Sequence, residues 1–206
     1  MRWSVWWALS TCGWMLVVNY IQNLWENISP SATNETRVYN GAVESVATIM
    51  GALGAFSVSY IQTNLSKWGE ILLGCSSVFK CGLLLLMYWT TSIWACYAAY
   101  VAYILLYNFV ITITQYQLAV GLNTRRFALL FGANTFMAVS LNTLLTVIII
   151  DQAGFGLDVE TQFLIYSVYF GILAFIFLLH GSYDRLLSKR TKPAEVNQDD
   201  NAQNVD

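Results

Sequence analysis

The chain has 206 residues, 57% hydrophobic and 11% charged, with a net charge of −2 and a mean hydropathy of +0.53. That composition leaves no amphipathic surface for a soluble helical core and no basic excess for nucleic acid, and the short alternating segments of a membrane barrel are missing. The long apolar runs predict an all-α membrane protein, because backbone N–H and C=O groups find no water inside lipid and must be satisfied within helices.

A hydrocarbon core of roughly 30 Å needs about 20 helical residues. Six runs meet that length: Ser4 to Leu24, Gly41 to Ile61, Ile71 to Trp89, Ala95 to Gly121, Phe127 to Ile150 and Thr161 to Leu179. The first follows Met1-Arg2 as a signal peptide would, but its apolar run is longer than such a peptide carries and no small-residue cleavage site follows, so it reads as a span. Asn19, Gln22 and Glu26 stack at its far end. On the second run Asn40, Glu44, Thr48, Gly51, Ala55, Ser59 and Gln62 recur at spacings of three and four, a small and polar stripe that must face other helices. The third run holds Lys80 near its centre, where an ammonium must pair with an acid, give up its charge or snorkel.

The fourth run aligns Tyr100, Tyr103, Tyr107, Val110, Thr114 and Gln117 on one face. Such a column either packs with each hydroxyl bonded to a neighbour or forms an aromatic wall for a flat ring, and the pattern alone fits both. In the fifth run Thr135, Asn142 and Thr146 are in phase, a spacing that suits interhelical hydrogen bonds. From Thr191 onward the chain is polar, with Pro193 and Asp199-Asp200, and is expected to be a disordered tail. The expected domains are therefore a transmembrane unit over residues 1–190 and a tail over 191–206.

An even number of spans puts both termini on one side. That side collects Arg2, Lys67, Arg125, Arg126, Arg185, Lys189, Arg190 and Lys192, eight of the ten basic residues, and the other holds only Arg37. The asymmetry places both termini in the cytoplasm. The loop from Trp25 to Asn40 is then outside, where Asn34-Glu35-Thr36 and Asn27-Ile28-Ser29 are acceptor patterns for glycans, the second weakened by Pro30. Seven of the eight tryptophans lie near predicted helix ends, as an interfacial belt requires, and only Trp14 is deep.

The chemistry suggests handling rather than transformation of a ligand. Glu44 lies about one turn inside its helix, where a carboxylate serves as an anchor for a cation, a proton carrier or a salt-bridged structural group. Cys12, Cys75, Cys81 and Cys96 show no zinc spacing and no extracellular pair, and the one histidine, His180, has no nucleophile or metal motif around it in the spans. No enzyme activity and no cofactor are expected.

The stretches Arg2-Trp3-Ser4-Val5-Trp6-Trp7-Ala8, Asn19-Tyr20 through Leu24-Trp25, Val38 through Glu44, Ile93-Trp94-Ala95-Cys96-Tyr97, Phe131 through Phe136 and Gln162 through Phe170 together resemble the reduced folate carrier and thiamine transporter family, in order, to about Leu179. The resemblance implies the twelve-helix major facilitator architecture, with this six-helix bundle similar to its carboxyl-terminal half. It implies that helices one and four line the cavity and that helix three is peripheral. The thiamine branch is the closer one, through Asp151-Gln152 and Thr161 through Tyr166. It implies substrate handling at Asn19 and Glu44, and with the tyrosine face and the fifth helix it makes Tyr107 and Asn142 further candidates. Folate carriers have a basic residue at the position of Asn142, and family members commonly have another at that of Ile104; this chain has neither. The expected function is thiamine uptake across the plasma membrane, with folate transport or a non-transporting protein that associates with a full-length carrier as alternatives. The expected partners are a small vitamin, the bilayer, and a missing amino-terminal half or second chain, since one bundle supplies only one wall of a site shared between two.

The charge asymmetry predicts that a carboxyl-terminal tag resists protease on intact cells and that a glycan is added at Asn34 and not at Asn64. Glycopeptide mapping and surface proteolysis check both, and a glycan at Asn64 would reverse the topology.

Overall fold

The computed structural model describes residues 2–30, 39–60, 69–120, 124–150 and 154–202, with the side chains of all of these except 124–127 and 184–202. The described residues form six α-helices: α1 (Arg2–Ile28), α2 (Asn40–Ser57), α3 (Gly69–Trp89), α4 (Ile93–Val120), α5 (Thr124–Ile149) and α6 (Val159–Ala202), with a short 3₁₀ turn at Val58–Tyr60 after α2. No strand occurs among the described residues. The helix of α6 runs on to Ala202, into the polar stretch beyond Thr191.

Five of the expected six spans are long and apolar enough to cross a membrane: Asn40–Tyr60, Gly69–Trp89, Ile93–Val120, Ala128–Ile149 and Val159–Tyr183. Although α1 has the length, with 27 residues, its composition falls short because Ser4, Ser10, Thr11, Asn19, Gln22, Asn23 and Glu26 dilute it. Its position accounts for this. Trp6, Trp7, Cys12, Leu16, Val17, Ile21, Leu24 and Trp25 are all buried against α4, α5 and α6, so a helix enclosed by others needs little lipid-facing apolar surface.

The remaining helices pack around that centre. The hairpin of α3 and α4 turns in the three residues Thr90, Thr91 and Ser92, which makes them antiparallel neighbours. A tighter device joins α5 to α6, where Gly156 takes a left-handed φ of 53° that a side chain would resist. Asp158 then caps α6, accepting from the Thr161 hydroxyl at 2.8 Å and its backbone N–H at 3.2 Å; these bonds hold the Asp158 carboxyl below the usual carboxylate range. The main neighbour of α3 is α6, that of α2 is α4, and that of α5 is α1. Outward faces of α2 and α5 carry Ile49, Leu53, Phe56, Leu129, Phe136 and Leu144, all exposed, which suits contact with lipid rather than water.

At the end of the bundle that holds the amino terminus, Glu70 of α3 joins two other helices, with Arg2 of α1 on one oxygen and His180 Nδ1 of α6 at 3.3 Å from the other. The α2–α4 contact is closest at Gly51 and Gly54: a Cβ on Gly51 would lie 2.7 Å from Asn108 Nδ2, and one on Gly54 3.0 Å from the backbone oxygen of Leu105. A side chain can yield but a helix backbone cannot. Gly54→Val is expected to cost about 1–3 kcal/mol and to lower the melting temperature in detergent by about 5 °C, whereas Gly41→Val, with nothing within 4 Å of its Cβ, serves as an unaffected control.

Candidate substrate-handling site

The tyrosine face of α4 points inward, and the hydroxyls of Tyr97, Tyr100 and Tyr107 each find a different neighbour, while that of Tyr103 is buried without a hydrogen-bond partner. Tyr97 Oη donates to Asn40 Oδ1 of α2 at 2.6 Å, Tyr100 Oη reaches both carboxylate oxygens of Glu44 at 3.1 Å, and Tyr107 Oη donates to Thr11 Oγ1 of α1 at 3.1 Å. The polar stripe of α2 thus faces another helix at Asn40, Glu44 and Gly51, as its periodicity requires. Of the two readings of the tyrosine column, packing with bonded hydroxyls describes Tyr100 and Tyr107 but not Tyr103. Tyr103, fully buried, packs edge-on to Phe170 of α6, with centroids 6.1 Å apart.

Two clusters result. The first lies where α1 ends and α4 begins, and contains Trp25, Asn40, Glu44, Tyr97 and Tyr100. Trp25 packs edge-on to Tyr97 at 5.0 Å and to Tyr100 at 5.2 Å, so one indole backs both rings. Glu44 itself is half-buried.

Seven residues along α4 from Tyr100, or about 10 Å at 1.5 Å per residue, the second cluster surrounds Tyr107. Its ring stacks on Trp14 with centroids 4.9 Å apart and planes 6° from parallel. Lys80 of α3 reaches the same ring. The ammonium is fully buried, donates to Ser10 Oγ at 2.8 Å, and lies 4.7 Å from the centroid of Trp6, 5.1 Å from Tyr107 and 5.3 Å from Phe170. Among the described residues no carboxylate lies within ion-pair distance of it. Three ring faces and a hydroxyl therefore replace the acid, and a desolvated cation over an aromatic face gains about 2 kcal/mol from the ring quadrupole.

The residues singled out from sequence do not converge on one point. Glu44 joins the first cluster, Tyr107 is the centre of the second, Asn19 is exposed on α1, and Asn142 is half-buried on α5 with its Oδ1 buried and without a hydrogen-bond partner. No hydrogen bond joins any two of these four. Asn27 is exposed in the last turn of α1 and donates to Glu160 Oε1 at 2.8 Å, while Asn34 and Asn64 fall outside the described residues. Ser10, Thr11 and Phe170 were not legible as site residues, because each is defined only by the Lys80 or Tyr107 group it meets from another helix. Among the described residues no group of His, Cys, Asp and Glu could hold a metal.

An all-helical bundle with apolar outer faces and a buried ammonium and half-buried carboxylate among aromatic rings is a polytopic membrane protein with a polar interior. The model of the reduced folate carrier family matches residues 1–165, and the chain belongs to that family. It is 48% identical over 180 residues to human Thiamine transporter 1, covering 87% of this chain and 36% of that protein. It is 45% identical over 193 residues to human Thiamine transporter 2, covering 94% and 38%, and 39% identical over 187 residues to the human Reduced folate transporter, covering 89% and 32%. The chain thus spans about a third of the length of the relatives it matches.

The aromatic cage predicts an order of tolerance at Lys80. Met fills the same volume and makes favourable sulfur–ring contacts, so Lys80→Met is expected to stay within about 1 kcal/mol of the parent. Lys80→Ala empties the cage and is expected to cost about 2–4 kcal/mol. Thermal unfolding in detergent measures both; equal loss in the two variants would mean that the charge, rather than the volume, holds the cage together.

Proposed function

We propose that the chain forms one bundle of a vitamin carrier that takes up thiamine across the plasma membrane, with both termini in the cytoplasm. The observation that carries the reading is the gradient of identity, 48% to human Thiamine transporter 1 against 39% to the human Reduced folate transporter. The chemistry points the same way. A half-buried carboxylate at Glu44 suits the positively charged thiazolium of thiamine, and neutral residues at Asn142 and Ile104 offer no cation to the carboxylates of a folate.

In this reading the bundle is a six-span, major-facilitator-like half in which α1 completes the membrane crossing. Glu44 anchors the cation, Asn19 supplies a neutral donor or acceptor from the exposed face of α1 and Asn142 an amide from α5, while Tyr107, enclosed by Trp14, Thr11 and Lys80, braces the wall behind them. A second bundle, either an amino-terminal half or another chain, closes the site, and alternating access comes from rocking of the two around it. No bond is made or broken in the vitamin. Asn34 and Asn27 lie on the outer side as candidate glycan acceptors.

Glu44→Gln in the full-length carrier is expected to lower labelled-thiamine uptake on the order of tenfold without changing surface abundance, and Asn19→Ala to raise KM with Vmax preserved. Normal uptake by a Glu44→Gln variant that reaches the surface would remove the cationic anchor and with it the assignment of thiamine.

A further inference from the structure

We infer that Tyr100 is a positioning residue of the carrier: its hydroxyl holds the Glu44 carboxylate at a fixed orientation between α2 and α4, ready for a cationic ring. The inference rests on the reading of Glu44 as the anionic anchor.

The geometry of the donor carries it. Tyr100 Oη lies 3.1 Å from Oε1 and 3.1 Å from Oε2, so one hydroxyl stands evenly before both oxygens. A carboxylate has about four lone-pair positions, and this shared contact occupies the side between the oxygens, leaving their outer sides for a ligand. Glu44 is only half-buried, so those positions are not closed by packing. Tyr100 itself cannot swing away. Its residue is 1% exposed and its ring is wedged edge-on against Trp25 at 5.2 Å. A donor fixed in this way spares the carboxylate the entropy of being ordered when the ligand arrives.

The neighbouring contact separates positioning from simple bracing. Three residues earlier on α4 and four earlier on α2, Tyr97 and Asn40 make the same kind of interhelical bond at 2.6 Å, between neutral groups. A neutral pair therefore suffices to tie the two helices. Replacing the amide by a carboxylate adds a desolvation cost that bracing does not need, and a cation meeting the charge would offset it.

Tyr100→Phe keeps the ring and its contact with Trp25 while removing the donor. In the full-length carrier it is expected to raise KM for labelled thiamine roughly fivefold at unchanged surface abundance and Vmax, and to have no further effect in a Glu44→Gln background. Tyr97→Phe, which breaks the neutral tie, is expected to leave KM within about twofold of the parent. A parental KM in Tyr100→Phe beside a defective Glu44→Gln would overturn the positioning role and leave the thiamine reading standing. So would additive losses in the double variant, or an equal rise in Tyr97→Phe. An inert Glu44→Gln would overturn the thiamine reading and this inference with it. Should Tyr100→Phe fail to reach the membrane, Glu44→Asp draws the carboxylate back from an intact Tyr100, and an unchanged KM there overturns the inference.

Discussion

Helices in lipid cannot be driven together by hiding apolar surface from water, so a membrane bundle depends on close packing and on polar contacts between helices. Here both run through α4. Its inward column reaches α2 through Tyr97 and Tyr100, α1 through Tyr107, the ammonium of α3 through the Tyr107 ring, and α6 through Tyr103 against Phe170. Each aromatic pair contributes about 0.5–1.5 kcal/mol beyond its area and each interhelical bond about as much. These terms meet on one helix, so they fix the relative placement of four others. α5 is attached instead to the central helix α1, through Phe131 against Trp7 and Asn134 bonded to Ser4.

The same column explains how a lysine survives in the interior. An ammonium in a low-dielectric bundle needs its charge met on several sides, and a single carboxylate would meet it on one. Trp6, Tyr107 and Phe170 come from three helices, with Ser10 supplying the one direct acceptor. Lys80 in turn brings α3 into contact with residues of α1, α4 and α6 at once. A hydroxyl from Ser77, one turn before Lys80 on α3, accepts from Trp6 Nε1 at 3.2 Å and holds one wall of that cage in place.

Much of this was legible in the sequence because it follows from helical period. The apolar runs located the six helices to within a few residues, except that α6 runs on well past Leu179, and the three-and-four spacing identified the face that α2 turns toward α4 at Asn40, Glu44 and Gly51, although Thr48 and Ser59 of the same stripe are exposed. What period cannot supply is the partner across the gap. Lys80 called for an acid partner, the loss of its charge or an escape to the interface, and the fold places its nitrogen among three rings on other helices, an arrangement with no signature in the local pattern. The column of tyrosines fitted packing and ligand wall equally, because the distinction lies in which groups stand opposite each hydroxyl. Hydropathy likewise assigned α1 to the membrane on length, whereas its polar content reflects a central position that only the fold reveals.

The candidate residues are spread over four helices, two inner and two outer. α2 rests mainly on α4 and α5 mainly on α1, and α2 and α5 hold Glu44 and Asn142, while the inner pair holds Asn19 and Tyr107. Glu44 is held by the Tyr100 hydroxyl on a helix that meets α4 closely at Gly51 and Gly54, and Tyr107 is braced by Trp14, Thr11 and Lys80. In the carrier reading, the negative group that meets a cation is therefore held in place by the same α4 column that braces Tyr107. Charge recognition then acts on an α2–α4 pair tied by hydroxyl contacts and a close glycine approach, so that a cation engaged at Glu44 would travel with the whole bundle as the two bundles rock.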